Sequence, residues 1–151
     1  MRGALNKGCL ATFVERKSRF LAAGLMPDRK AATMNGTMEA IFASFPASLR
    51  RSFTVDHGNE FFGYRQVEAS MKTLVYFADP YSAWQRGLSE NTNGLLRQYF
   101  PKKFDFRSVT QADLDRVVAL LNNRPRKSLG FRTPMRSSLF TVCCTCIDNP
   151  H

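Results

Sequence analysis

The sequence predicts an α/β layer protein, a sheet flanked by helices, folded as one domain. Short apolar runs of β-prone residues alternate with longer stretches whose apolar residues recur at helical spacing. Strands that lead into helices and return to a common sheet are the pattern of layered α/β folds. The 151 residues are enough chain to bury a core, and an apolar share of 44% with 12% aromatic residues is that of a globular rather than a disordered chain.

The elements follow in order. Residues 8–25 read as a hairpin: an apolar strand over 8–14, a charged turn over 15–18 and a second strand over 19–25. Pro27 and Asp28 break the pattern. Met34, Met38, Ile41, Phe42 and Phe45 then fall on one helix face, which Pro46 closes. Residues 52–55 are a brief β-prone run ending on Asp56, and 57–60 form a polar turn before a moderately helical stretch over 61–71. Residues 74–77 read as a buried strand, closed by Asp79 and Pro80. A loop with Tyr81 and Trp84 leads into a helix over 85–99, stopped by Pro101. The last helix starts after Thr110, a good N-cap with Asp113 in the first turn, and carries Leu114, Val117, Val118 and Leu121 on one side. Residues 122–127 are basic and turn-rich. The expected order is β-β-α-β-α-β-α-α.

Charge narrows the function. Lys and Arg number 22 against 12 Asp and Glu, a net charge of +10. Such an excess favours a polyanionic partner, because each neutralised phosphate releases condensed counterions; the plainer alternative is a basic surface that only maintains solubility. No apolar run approaches the ~20 residues needed to span a bilayer, and the start has no apolar stretch of signal-peptide length. The expectation is a cytoplasmic protein with no membrane partner. Cys9 stands alone, while Cys143, Cys144 and Cys146 crowd the end of the chain. They lack the separated pairs of a structural zinc site, so reduced thiols are expected.

Two acids stand out by position. Asp56 ends a strand, where a side chain projects into the crevice in which α/β proteins bind ligands. Glu90 lies on the helix after the next strand. At about 100° per residue, Leu88, Thr92, Leu95, Leu96 and Tyr99 share one sector of that helix, and Arg86, Glu90, Asn93 and Arg97 lie nearly opposite. A lone Glu on such a face is ordinarily a solvated residue. Here it alternates with arginines, as suits a place shared by a divalent cation and phosphates. Gly87, Ser89 and Gly94 would also let another chain come close.

The combined blocks resemble a known family. The run from Thr54 to Phe61, Thr-Val-Asp-His-Gly-Asn-Glu-Phe, is similar to the TxDNGxEF block around the second aspartate of DDE transposases and integrases. The segments 76–81, 84–87 and 90–95 resemble the glutamate block of the insertion-sequence-thirty family. Residues 121–127, with Leu129, Gly130, Thr133 and Pro134, resemble its segment after the catalytic helix, and 14–20 its hairpin turn. The resemblance implies a ribonuclease-H-like integrase core in which two aspartates and a glutamate hold two Mg2+ or Mn2+ ions for DNA strand cleavage and transfer. By match to the motifs, Asp56 and Glu90 take the second and third carboxylate roles. DNA phosphates would be met by Arg124, Arg126 and Lys127, and near the metals by Arg86, Asn93 and Arg97. Tyr81 and Trp84 would stack on a base or pack on the sheet. His57, where the family has Asn, is expected to be a turn residue.

The match also predicts a gap. The family's first aspartate lies on the strand before the hairpin, which here would fall ahead of Met1, and Asp28 comes too late to replace it. Two hard cations need several oxygen ligands, which a bare pair of carboxylates does not supply. The expectation is therefore a partial catalytic core over 1–134 lacking its first strand, with a divergent tail over 135–151. Such a chain would not transpose DNA alone, and its sheet would expose an edge prone to aggregation. The readings that stand are a truncated, inactive DNA transposase core acting on transposon ends and target, or a non-catalytic fragment binding DNA, a full-length transposase or itself. A basic RNA-binding structural protein would explain the charge but not the Asp56 and Glu90 blocks.

Overall fold

The computed structural model describes residues 8–47, 50–79, 83–102, 104–137 and 142–147; within 83–86 and 142–147 only the backbone is described. Five strands and four α-helices follow one another as β1 (Cys9–Glu15), β2 (Leu21–Met26), α1 (Ala31–Phe42), β3 (Ser52–Val55), α2 (Tyr64–Met71), β4 (Leu74–Phe77), α3 (Ala83–Leu96), α4 (Gln111–Asn122) and β5 (Val142–Ile147). The first eight keep the expected order. The strands make one sheet in the order β2-β1-β5-β3-β4.

The hairpin forms because β1 is buried on both faces and its turn is short. Cys9, Ala11 and Phe13 point to the layer of α1 and α2, while Leu10 and Val14 point to the layer of α3 and α4. This alternation is the period-two geometry of a strand covered on both sides. On the first side Phe13 meets Phe42 edge-on with centroids 5.2 Å apart, and Phe42 meets Phe53 at 5.1 Å. Met34 and Met38 fill the space beside them, so the helix face read from spacing is the core face of α1. On the second side Leu10, Val14 and Leu21 meet Leu96, Leu114 and Leu121.

α4 begins as its sequence requires. The Thr110 side chain accepts from the Asp113 N–H and the Asp113 carboxylate accepts from the Thr110 N–H, a reciprocal cap on the first turn. The two ends of α4 blunt the edge strand β2. Asn122 is hydrogen bonded to both backbone groups of Leu21, and Gln111 accepts from the Leu25 N–H and donates to the Ala23 carbonyl. An uncovered edge would be a template for foreign strands.

Two expectations are corrected. Residues 74–77 do form a strand, but β4 is the other edge of the sheet and not a buried strand: Leu74 and Tyr76 are more than half exposed. Its place beyond β3 leaves one row of side chains without a described covering layer. The second correction concerns the gap. β5, from the segment read as a divergent tail, lies inside the sheet, antiparallel to β1 and parallel to β3. The edge expected between the hairpin and β3 is therefore filled, and β5 is what joins β1–β2 to β3–β4.

Candidate functional site

Asp56 directly follows β3 and is half-buried. One of its carboxylate oxygens accepts from the Gly58 N–H at 3.1 Å, a turn that fixes the carboxyl relative to the strand end. Gly58 is crowded by its neighbour: a Cβ there would lie 2.7 Å from the Glu60 carboxyl group, which would have to shift. Glu60 is buried and its carboxylate receives the Arg29 guanidinium at 3.0 and 3.3 Å. His57 stacks on Phe77 with centroids 5.1 Å apart, and so packs as a turn residue. Glu60 and Arg29 form a structural support beside the Asp56 turn that the sequence does not announce. A glutamate in a polar turn reads as solvated, and only the fold brings an arginine from before α1 to it.

The sheet then carries the site toward α3. Register sets Thr12 of β1 opposite Thr145 of β5, and Thr54 of β3 beside Cys143. Two steps further along these parallel strands, Asp56 is level with Thr145. Helix α3 packs over β1 and β5. It is tied down by the Thr12 hydroxyl, which donates to the Asn93 carboxamide oxygen at 3.3 Å. Glu90 lies one turn earlier on α3 and is exposed.

Helix α3 is turned from the expected orientation. Ser89, Thr92 and Leu96 are buried, Asn93 and Arg97 are half-buried, and Tyr99, expected inward, is 42% exposed. The small side chains of Ser89 and Thr92 let the helix approach the sheet closely, and the Thr92 hydroxyl is satisfied internally by donating to the Leu88 carbonyl. With Ser89 buried next to it, the exposed Glu90 lies nearer the flank of the buried face than opposite it. Asn93 anchors the helix at the same time.

Other predicted residues are more scattered. Arg124 and Lys127 are exposed after α4, and Arg126 beside them is half-buried, its guanidinium pKa pulled down by burial and then by Arg124. Arg86 and Trp84 lie in the first turn of α3 with side chains outside the described residues, as is all of Tyr81. Asp28 accepts from the Thr33 hydroxyl at 2.6 Å and the Lys30 N–H at 3.1 Å, which hold its pKa below the ordinary value and spend it on the start of α1. Among the described residues no group of three His, Cys, Asp or Glu side chains comes together. The described donors thus do not amount to a two-metal ligand set. No helix among them is long and apolar enough to cross a membrane.

No family model matches the chain. It is 47% identical over 125 residues to the transposase InsI for insertion sequence element IS30A of Escherichia coli (strain K12), covering 83% of this chain and 33% of that protein. The chain is homologous to the IS30-family transposases. A second such relative, the transposase for insertion sequence element IS1086 of Cupriavidus metallidurans, is 41% identical over 136 residues, covering 90% of this chain and 40% of the relative. The IS30-family homologue thus spans about a third of the length of the first relative. Its fold is that of retroviral integrase cores, hence ribonuclease-H-like. The catalytic core domain of BIV integrase aligns with a TM-score of 0.66 and 18% identity, covering 87% of this chain and 85% of the core.

Proposed function

We propose that this chain acts in DNA transposition and integration, as a DNA-binding portion of a DDE-type core. The observation that carries the reading is the placement of Asp56 at the end of β3 and of Glu90 on α3, with α3 laid over the intervening strands by the Thr12–Asn93 hydrogen bond. The net charge of +10 supplies the long-range attraction for DNA. Transposon ends and target DNA are the partners this reading assigns, with a full-length transposase or a second copy able to share them, in the cytoplasm where the DNA is.

Asp56 and Glu90 are the donors the chain would offer to Mg2+ or Mn2+. Two carboxylates leave hard divalent ions short of oxygen ligands, so the chain is assigned the binding and orientation of DNA and not its cleavage. Fluorescence anisotropy with a labelled duplex, run beside a supercoiled-plasmid nicking assay, tests both parts. The expected result is salt-dependent DNA binding without nicking in Mg2+ or Mn2+. Failure to bind duplex at low salt would overturn the whole reading. Metal-dependent nicking that disappears in Asp56→Ala and Glu90→Ala would overturn the assignment of inactivity.

A further inference from the structure

A second basic feature lies on the other flank of α3. The hairpin turn between β1 and β2 is organised by Glu15, a buried acid whose carboxylate accepts from the Lys17 N–H and from both the N–H and hydroxyl of Ser18. The Arg19 N–H closes the turn on the Glu15 carbonyl at 3.0 Å, and Arg19 takes a left-handed φ of 61°. Such a conformation is disfavoured for a residue with a side chain and persists where the surroundings enforce it. The turn is thus a fixed platform from which Arg16 and Arg19 project.

Across from it stands Arg126. Its own backbone is locked into a small loop: the Arg126 N–H donates to the Arg132 carbonyl, and the Arg126 carbonyl accepts from Leu129 and Phe131. Its guanidinium is half-buried, with Nη2 near the Leu121 carbonyl at 3.4 Å and a buried Nε that has no hydrogen-bond partner. Between the two platforms is a cleft of about 520 Å³, lined by Arg16, Arg19 and Arg126 with Asn91 and Ser128, and by Gly87 and Leu88 of α3. No carboxylate is among the residues lining it. None of the three arginines makes an ion pair with a described residue.

Gathering three guanidiniums around one cleft, one with an orphaned buried donor, is unfavourable until an anion arrives. A partly enclosed, acid-free cleft strengthens that attraction by lowering the local dielectric and focusing the field. We propose that this cleft is a phosphate clamp for a DNA strand: Arg16, Arg19 and Arg126 hold backbone phosphodiesters, and Asn91 and Ser128 offer hydrogen bonds to the same oxygens. Gly87 and Asn91 flank Glu90 along α3, so a strand seated here is led past the carboxylate edge. The clamp rests on the DNA-binding reading and names the surface that performs it.

The test uses the whole chain and a labelled duplex, with affinity measured over a series of salt concentrations. Removing Arg16, Arg19 and Arg126 together as alanines is expected to weaken binding by roughly tenfold or more and to flatten the log affinity–log salt slope by about one for each phosphate no longer held. Arg126→Lys and Arg19→Lys keep the charge and should retain most of the slope while losing part of the affinity. Arg116→Ala, the loss of one charge on the outer face of α4, should change neither beyond a small offset. Far-ultraviolet circular dichroism and a thermal melt confirm folding, and the glutamine variants replace the alanines if those fail to fold. If wild-type chain binds duplex and the triple variant binds with unchanged slope, the clamp is overturned while the DNA-binding reading stands. If inorganic phosphate at millimolar concentration displaces the duplex completely, the cleft serves free phosphate and the DNA assignment is overturned.

Discussion

The carboxamide of Asn122 grips both backbone groups of Leu21: its Nδ2 donates to the Leu21 carbonyl and its Oδ1 accepts from the Leu21 N–H, each at 2.8 Å. One side chain on α4 thereby stands in for a neighbouring strand. Both residues are buried, so truncation leaves polar backbone groups with no route to water. Asn122→Ala is expected to cost about 1–3 kcal/mol for each stranded group, read as a lower denaturant midpoint. It should also increase association between copies, because the β2 edge is uncovered. An unchanged midpoint would show that the cap is dispensable.

Gly58 and Glu60 should behave as a coupled pair. A methyl at position 58 meets the Glu60 carboxyl at 2.7 Å and would push it from Arg29. Gly58→Ala is expected to cost about 1–3 kcal/mol in the presence of Glu60 and much less after Glu60→Ala. A double-mutant cycle by chemical denaturation measures this coupling. Additive single effects would mean that the Asp56 turn does not depend on the buried acid.

The cap of α4 sets an acid-side limit. Asp113 has its pKa lowered from the ordinary 3.8, first by the Thr110 hydroxyl, then by the Thr110 backbone N–H, with Arg116 adding to it. A carboxyl with a depressed folded pKa binds its proton more readily in the unfolded chain. Its contribution is therefore present above 3.8 and is lost as pH falls through the lower folded value. Thr110→Ala should lower the melting temperature near neutral pH, by the equivalent of about 1 kcal/mol for a lost N-cap. The difference from wild type should shrink as melts are taken below 3.8.

Register points to one gain of function. Thr145 lies opposite Thr12 and level with Asp56, on the strands that α3 covers. Thr145→Asp would put a third carboxylate at that register position. The variant is expected to melt below wild type without metal, because a charge replaces a hydroxyl on a strand inside the sheet. Millimolar Mn2+ should then stabilise it by several degrees through binding to the folded state alone. Adding Asp56→Ala should abolish that gain. Identical melts with and without Mn2+ would rule out the inferred row.

Much of the fold was legible because it is local. Apolar spacing located α1 and α4, turn residues located the hairpin, and the β-prone run before Asp56 located β3. Three features were not. The orientation of α3 turns on Ser89, a small polar residue buried outside the sector that Leu88, Thr92 and Leu96 share. The exposure of β4 depends on its rank in the sheet, which its own residues do not encode. The place of β5 depends on partners at the opposite end of the chain, so Val142–Ile147 carries β propensity but no sign of where to pair. The candidate site divides along the same line. Asp56 and Glu90 come from local blocks, whereas the Arg29–Glu60 support and the arginine cleft arise from segments that meet only in three dimensions.

Strand β5 also dictates an order of events. It follows the other four strands in sequence and stands between them in space, and its pairs run from Glu15 with Val142 to Leu10 with Ile147. During synthesis the hairpin and the β3–β4 pair emerge early, yet they share no strand edge until residues 142–147 are released. Closing so long a loop makes that step slow, and the half-sheets wait meanwhile with an open seam. The ribosome delivers the keystone after every strand it joins, and the time spent waiting for it is when a chaperone, or another strand, has its chance.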